Sequence, residues 1–232
     1  MSDFNGFPKE AFEFLKDLQH NNNREWFNEH KQVYIASFQE PAIDFVSVLG
    51  PRLKNISPTM QYISTASRGS IMRIYRDIGF SKDKTPYKDH LGINFWDGPF
   101  PKTENPGYFL HIEENGAYLY GGNWRFNKAM LHAYRAAIAH QDLGADIGKA
   151  IATIRKVDQF EVDGDRYKRF PRGFDEDHPM ADLMLYKGLW SRSPHLSINE
   201  LSSPNLVDQC EQYGQTMAPL HHALLKVQKY IE

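Results

Sequence analysis

An Asn-Gly pair between two β-rich runs sets the strand pairing in the middle of this chain. Asn115-Gly116 separates residues 108–112 from residues 117–120, and both runs are rich in tyrosine and aliphatic side chains. This combination is the strongest short-range signal for a β-hairpin, and it predicts a tight type I′ turn with positive φ at both positions. The sequence therefore predicts an antiparallel sheet near its centre.

Helical patterns flank this region on both sides, and further β-rich runs adjoin it. Strands are predicted at residues 70–77, 91–96 and 188–197, and a second, smaller hairpin is predicted around Asp163-Gly164. We expect one α+β domain over residues 1–232, with a central, mainly antiparallel sheet of hairpins between N-terminal and C-terminal helices. Apolar spacing and capping residues predict the helices at residues 8–20, 23–34, 41–53, 128–140, 143–157, 179–187 and 203–232.

Charge and cysteine content narrow the possible function classes. The chain has 27 Lys and Arg residues against 29 Asp and Glu residues, a net charge of −2, which argues against a surface coated in positive charge for duplex nucleic acid or an anionic membrane. Cys210 is the only cysteine, so no disulfide framework or Cys-based zinc site is expected. Its place in the apolar stripe of the last helix predicts a core residue. With no signal peptide or membrane-span pattern, we expect a cytoplasmic protein.

The most unusual stretch is the basic segment, residues 73–88. Six Arg or Lys residues and three Asp residues lie between Arg68 and His90, in an otherwise slightly acidic chain. Strand alternation puts Arg76 on the same side as the apolar Met72 and Ile74, which is the expected core side. A half-buried guanidinium needs a partner, and Asp77, Asp83 or a ligand anion could supply it.

This segment predicts a site for a phosphorylated or carboxylated small molecule. In that hypothesis Arg76, Lys84 and Lys88 converge on one partly buried spot, and Asp77 or Asp83 acts as general base if the protein is an enzyme. The alternative is a structural corner held by Arg–Asp and Lys–Asp pairs. The candidate ligand-binding residues are Arg73, Arg76, Lys82, Lys84, Tyr87 and Lys88, together with Arg169 and Arg172 of a second basic cluster if the two hairpins lie side by side.

A function of a different class stays open on the same residues. Both basic hairpins together could form a non-catalytic nucleic-acid or protein interaction surface, with Trp124, Tyr118 or Tyr120 stacking on bases. For the second cluster alone, a solvated hairpin edge protected by Lys and Arg against strand pairing is the simpler interpretation. The slightly negative net charge makes nucleic acid possible but not favoured.

No metal site and no particular cofactor are predicted. His111 and Glu113 share a strand face, and His178 or His195 could complete a two-His-one-carboxylate set, but a hydrogen-bonded sheet histidine is the preferred interpretation. The sequence lacks H-E-x-x-H, a P-loop, a dinucleotide fingerprint and a nucleophile elbow. The glycines of residues 121–124 predict either an anion nest before a helix or a strand-end bulge.

The basic segment resembles the signature of a known family of conserved hypothetical proteins, a domain of unknown function widespread in bacteria and also found in fungi. That signature looks like R-x-Y-R-D-x-R-F-S-x-D-K-x-P-Y-K, and residues 73–88 reproduce it, except that Gly79 stands where the family usually has arginine. The resemblance covers nearly the whole chain and implies no reaction, and the change at Gly79 removes one positive charge from the cluster. Further similar segments are residues 21–27, 107–111, 121–124 and 168–174.

Overall fold

The computed structural model describes residues 3–231, except for the side chain of Gln141. Its N-terminal part is helical, as predicted, because apolar side chains recur at helical spacing and because Asn23 caps the second helix by accepting a hydrogen bond from the Trp26 backbone N–H at 3.0 Å. A π-helical turn joins the second helix to the third. The helices are α1 (Glu10–His20), α2 (Arg24–Tyr34) and α3 (Glu40–Leu53), with the π-helical turn at Ile35–Gln39.

The centre of the fold is one five-stranded sheet in which every paired neighbour is antiparallel, in the order β1-β2-β3-β5-β4. Helices lie before, between and after the strands, which confirms the predicted α+β class. The strands are β1 (Leu91–Trp96), β2 (Gly107–Glu113), β3 (Gly116–Asn123), β4 (Glu161–Asp163) and β5 (Leu189–Arg192), and the other helices are α4 (Lys128–Ala139), α5 (Gln141–Arg155), α6 (Ile198–Leu201) and α7 (Leu206–Gln228).

The β2–β3 hairpin lies where the Asn-Gly pair predicts it, but its turn is a different one. Glu113 pairs with Gly116, so Glu114 and Asn115 form the loop, and neither has a positive φ. The type I′ prediction is therefore wrong. Gly116 begins the next strand with φ +147°, and a Cβ there would lie 2.4 Å from the Leu196 carbonyl oxygen. Contact with this distant residue moves the glycine out of the turn.

Other predicted elements differ from the observed ones where a segment pairs with a distant residue instead of with a neighbouring run of the chain. Residues 70–77 form no regular strand, and only isolated bridges such as Ile71 to Ile93 tie them to the sheet edge. The hairpin predicted at Asp163-Gly164 is also wrong, because Arg166 bridges Tyr186 and β4 pairs with β5. The predicted helix at residues 179–187 is reduced to a 3₁₀ stretch, Ala181–Leu185.

The two faces of the sheet have different surroundings. One face is buried under helices: α7 lies against β3, and the Tyr108 hydroxyl donates to the Gly214 carbonyl of α7 at 2.9 Å. Cys210 of α7 is fully buried, which confirms the core prediction, and burial raises the pKa of its thiol. The opposite, uncovered face carries partly exposed side chains such as His111 and Tyr120. None of the helices within residues 3–231 is long and apolar enough to cross a bilayer.

Candidate functional site

A cavity of about 480 Å³ lies over this uncovered face of the sheet. Such a volume suits a small organic molecule. Gly107 lies opposite Gly122, Gly122 lies opposite Trp190, and all three residues line the cavity. At both glycines the neighbouring backbone comes too close for a side chain, since a Cβ would lie 2.0 Å from the Phe95 carbonyl oxygen at Gly107 and 2.5 Å from the Leu189 carbonyl oxygen at Gly122. This row of the sheet therefore gives a part of the cavity lining that has no side chains beside the Trp190 indole.

Aromatic rings form one wall of this cavity. The Trp124 and Trp190 rings stack with centroids 5.5 Å apart at an interplanar angle of 16°, and Tyr120 meets Trp190 edge-on at 5.3 Å. Trp124 is 65% exposed, so much of its indole surface does not pack against the protein core. A wall of this kind offers a flat apolar surface to a planar group.

Two half-buried lysines line the same cavity. The Lys102 ammonium donates to the Gly69 carbonyl, and Asn94 Nδ2 holds the Lys102 backbone by donating to its carbonyl at 3.2 Å. Within residues 3–231, neither Lys88 nor Lys102 forms an ion pair with a carboxylate. Burial, and then the charges of Arg73 and Lys102, lower the pKa of Lys88, and burial lowers the pKa of Lys102. This part of the cavity is therefore cationic and uncompensated.

A pair of histidines completes the lining of the cavity. The His90 and His111 rings lie 4.3 Å apart, and each donates to a carboxylate: His90 Nδ1 to Asp89 at 2.8 Å and His111 Nε2 to Glu113 at 3.1 Å. Burial, and then the neighbouring His90, lower the pKa of His111 despite the opposing effect of Glu113. Burial thus favours the neutral imidazole form of His111.

Comparison with known proteins identifies the family of this chain. The profile of a conserved hypothetical protein family, DUF2461, matches residues 10–222. The chain belongs to this family. No curated protein matches the sequence significantly. The DUF2461 match spans every residue that lines the cavity.

In this DUF2461 member, Arg76, Lys84 and Lys88, the residues predicted to converge, share no hydrogen-bond partner. Arg76 donates to Asp83 and Thr85. Lys84 instead donates to the Ile78 carbonyl at 2.8 Å, and Lys88 lines the cavity. The structure therefore does not bring the three cations to one spot. The Arg76 interaction matches the alternative of a structural corner.

The two candidate bases of the basic segment are occupied by local bonds. Asp83 accepts from the Thr85 backbone, then from Arg76 and the Thr85 hydroxyl, and these bonds lower its pKa to about 2. Asp77 accepts from the Gly79 backbone N–H at 3.3 Å. Neither carboxylate lines the cavity.

The remaining candidates lie in three different places. Tyr87 is buried with its ring stacked on Phe27 at 4.1 Å, and Lys82 is exposed on the loop. Arg169 and Arg172 are exposed and follow β4, whereas the basic segment adjoins β1. Since β1 and β4 are opposite edges of the sheet with three strands between them, these two edges are roughly four strand spacings, or about 19 Å, apart. The two clusters therefore adjoin different edges of the sheet.

The histidines considered as metal ligands have different partners. His111 bonds to Glu113, whereas the His195 ring contacts Tyr118 and His178 Nδ1 accepts from the Met180 backbone. Within the described part of the chain, no group of three or more His, Cys, Asp or Glu side chains could hold a metal ion.

Sequence reasoning missed part of the cavity lining. Trp124 and Tyr120 were considered as stacking residues, but Trp190, Asn94 and Lys102 were not. Alternation along β1 and β2 could have placed Asn94 on the face opposite the core, because its neighbours Ile93 and Phe95 are apolar. Lys102 comes from a connecting segment, and no pattern marks it.

Proposed function

We propose that the protein binds a small organic anion, phosphorylated or carboxylated and with a planar apolar part, in the cavity over the uncovered sheet face. The observation that supports this most strongly is the presence of Lys88 and Lys102, two half-buried ammonium groups without a carboxylate partner, in a cavity with an aromatic wall. A buried charge without a partner is costly, and the cost falls when an anion binds beside it.

The two parts of the cavity favour different parts of one ligand. The lysines offer charge-assisted hydrogen bonds, which contribute about 1.5–3 kcal/mol each, while an aromatic contact contributes about 0.5–1.5 kcal/mol. Arg73, which acts electrostatically on Lys88, would add to the positive potential at the cationic end. A free inorganic anion would use only the lysines, so we expect an aromatic anion to bind more tightly than phosphate alone.

The basic segment supports the site indirectly in this proposal. Stacking of Tyr87 on Phe27 and the bonds of Arg76 hold the loop, and Lys88 is anchored by its backbone N–H to the Ile74 carbonyl at 2.8 Å. We infer that the residues matching the family signature serve to position Lys88. Contact of Arg76, Lys82 or Lys84 with the ligand is not needed.

Binding measurements with phenyl phosphate, benzoate and inorganic phosphate test this function. Calorimetry and quenching of tryptophan fluorescence measure the binding. Lys88→Met and Lys102→Met should each weaken phenyl phosphate binding by roughly 10-fold to 150-fold, the equivalent of one charge-assisted hydrogen bond. Lys84→Met is the matched control, because Lys84 lies outside the cavity, and its affinity should equal that of the wild type.

Two results would reject the proposal. One is absence of binding by all three anions at millimolar concentration. The other is equal affinity in the Lys88→Met, Lys102→Met and Lys84→Met variants. A single-stranded oligonucleotide that binds much more tightly than phenyl phosphate would favour the nucleic-acid alternative instead.

A further inference from the structure

We propose that Lys88 is a nucleophilic amine that forms an imine with a carbonyl group of the bound ligand. The inference rests on the proposed function and makes the ligand class narrower: an aromatic aldehyde or ketone that carries a phosphate or carboxylate. Two amines in one cavity, only one of them held by a hydrogen bond, and an aromatic wall beside them carry the argument.

The two lysines differ in what holds their nitrogen atoms. Lys102 Nζ donates to the Gly69 carbonyl and is therefore fixed in place. The Lys88 side chain makes no hydrogen bond or ion pair with any residue in the range 3–231, although its backbone is tied to Ile74. Lys88 Nζ can thus move toward a ligand atom without losing a bond to the protein.

The surroundings of Lys88 shift its protonation equilibrium toward the free amine, which is the nucleophilic form. Burial disfavours its charged state, and the positive charges of Arg73 and Lys102 act in the same direction, so its pKa is lowered. An amine in an apolar pocket or beside another cation is the known way in which a lysine becomes reactive toward carbonyl groups. Lys102 then holds the ligand anion, and Lys88 reacts.

The reaction conserves atoms and needs no oxidant or reductant. The lone pair of Lys88 Nζ attacks the carbonyl carbon, and the carbonyl π electrons move to its oxygen. A proton passes from nitrogen to this oxygen to give a carbinolamine. The hydroxyl group then leaves with a further proton as water while the C=N bond forms. His90 and His111, which line the same cavity, are groups that can carry these protons.

Trapping with 4-formylbenzoate, an aromatic aldehyde with a carboxylate, tests the inference on the full-length protein. Cyanoborohydride transfers hydride to the imine carbon and leaves a stable secondary amine, which peptide mapping by mass spectrometry locates. We expect labelling at Lys88 ahead of all other lysines, with protection by excess benzoate. Lys88→Arg keeps the charge but removes the nucleophile, so this label should disappear, whereas Lys84→Arg should retain it.

The inference is overturned if Lys88 is labelled no faster than exposed lysines such as Lys84. This comparison is made within the wild-type protein, so it does not depend on how any variant folds. Calorimetry with benzoate separates this failure from that of the proposed function. If benzoate binds and Lys88 is not labelled, the imine is rejected while anion binding stands. If none of phenyl phosphate, benzoate and inorganic phosphate binds at millimolar concentration and Lys88 is not labelled, both proposals are rejected.

Discussion

Replacing Asp97 by alanine should remove a large share of the stability of the fold. Asp97 follows β1 and is buried, and its carboxylate accepts hydrogen bonds from the Ser57 hydroxyl and from His221 Nε2, the latter at 3.1 Å. His221 is also fully buried, its ring stacks on Tyr108 with centroids 5.3 Å apart, and its Nδ1 has no hydrogen-bond partner within residues 3–231. Asp97→Ala would leave the Ser57 and His221 donors without their acceptor.

The magnitude follows from the bonds that are broken. Each buried donor left unsatisfied costs about 1–3 kcal/mol, and Asp97→Ala leaves two such donors, the Ser57 hydroxyl and the neutral His221 ring. We therefore expect Asp97→Ala to lower the free energy of unfolding by about 2–6 kcal/mol. At about 2–4 °C per kcal/mol for a chain of this size, the Tm should fall by roughly 4–24 °C. Asp97→Asn keeps the shape and one acceptor oxygen, so its loss should be smaller.

Urea denaturation of the wild type, Asp97→Ala and Asp97→Asn measures these changes as shifts in the transition midpoint at constant slope. The reasoning fails if Asp97→Ala unfolds within about 1 kcal/mol of the wild type, because an unpaired buried donor cannot cost so little. It also fails if Asp97→Asn is the more damaging change, since that variant retains an acceptor.

The pH dependence of stability gives a second measure of the same pair. Burial lowers the pKa of His221 below its ordinary value of 6.5, although Asp97 opposes the shift. As the pH falls, the unfolded chain therefore takes up a proton on this histidine at a higher pH than the folded chain does. The contribution of neutral His221 to stability is complete above pH 6.5 and decreases as the pH falls toward the pKa of His221 in the folded state. Burial alone would raise the pKa of Asp97, but bonds from His221, Ser57 and Thr59 lower it below 3.8, so its contribution is lost only at more acidic pH. A His221→Phe variant should lack the loss of stability that begins near pH 6.5.

Two further substitutions test the local structure. Gly116→Val should destabilise the fold by more than about 1 kcal/mol, because its φ is positive and a Cβ would lie 2.4 Å from the Leu196 carbonyl oxygen; unchanged thermal stability would contradict this. Arg76→Ala should raise the pKa of Asp83 part of the way from about 2 toward 3.8, because the larger Thr85 bond remains, while phenyl phosphate affinity stays the same. The loss of stability on acidification should then end at higher pH and be smaller, and an NMR titration with an unmoved Asp83 resonance would disprove the pairing.

The candidate site was only partly predictable for a reason that its residues illustrate. Lys88 stood out because it lies in an unusually basic segment, and Trp124 because it follows two glycines after a strand. Nothing in the sequence connects either residue with Lys102 or with Trp190, because the sheet brings these four residues together from β5 and from separate connecting segments. The sequence left Asp77, Asp83 and a ligand anion as possible partners of Arg76, and in the fold Arg76 donates to Asp83.

The sequence by itself determined the features that depend on neighbours a few residues apart. These are the helical spacing of the last helix with its core residue Cys210, the Asn23 cap and the existence of the β2–β3 hairpin, since periods of 3.6 and 2 residues are local properties. Only the tertiary structure decided the turn residues, because Gly116 adapts to Leu196, and the strand order, which places the two basic clusters at opposite edges. It alone also created the cavity, because the lining residues come from separate strands and connecting segments that only the folded sheet brings together.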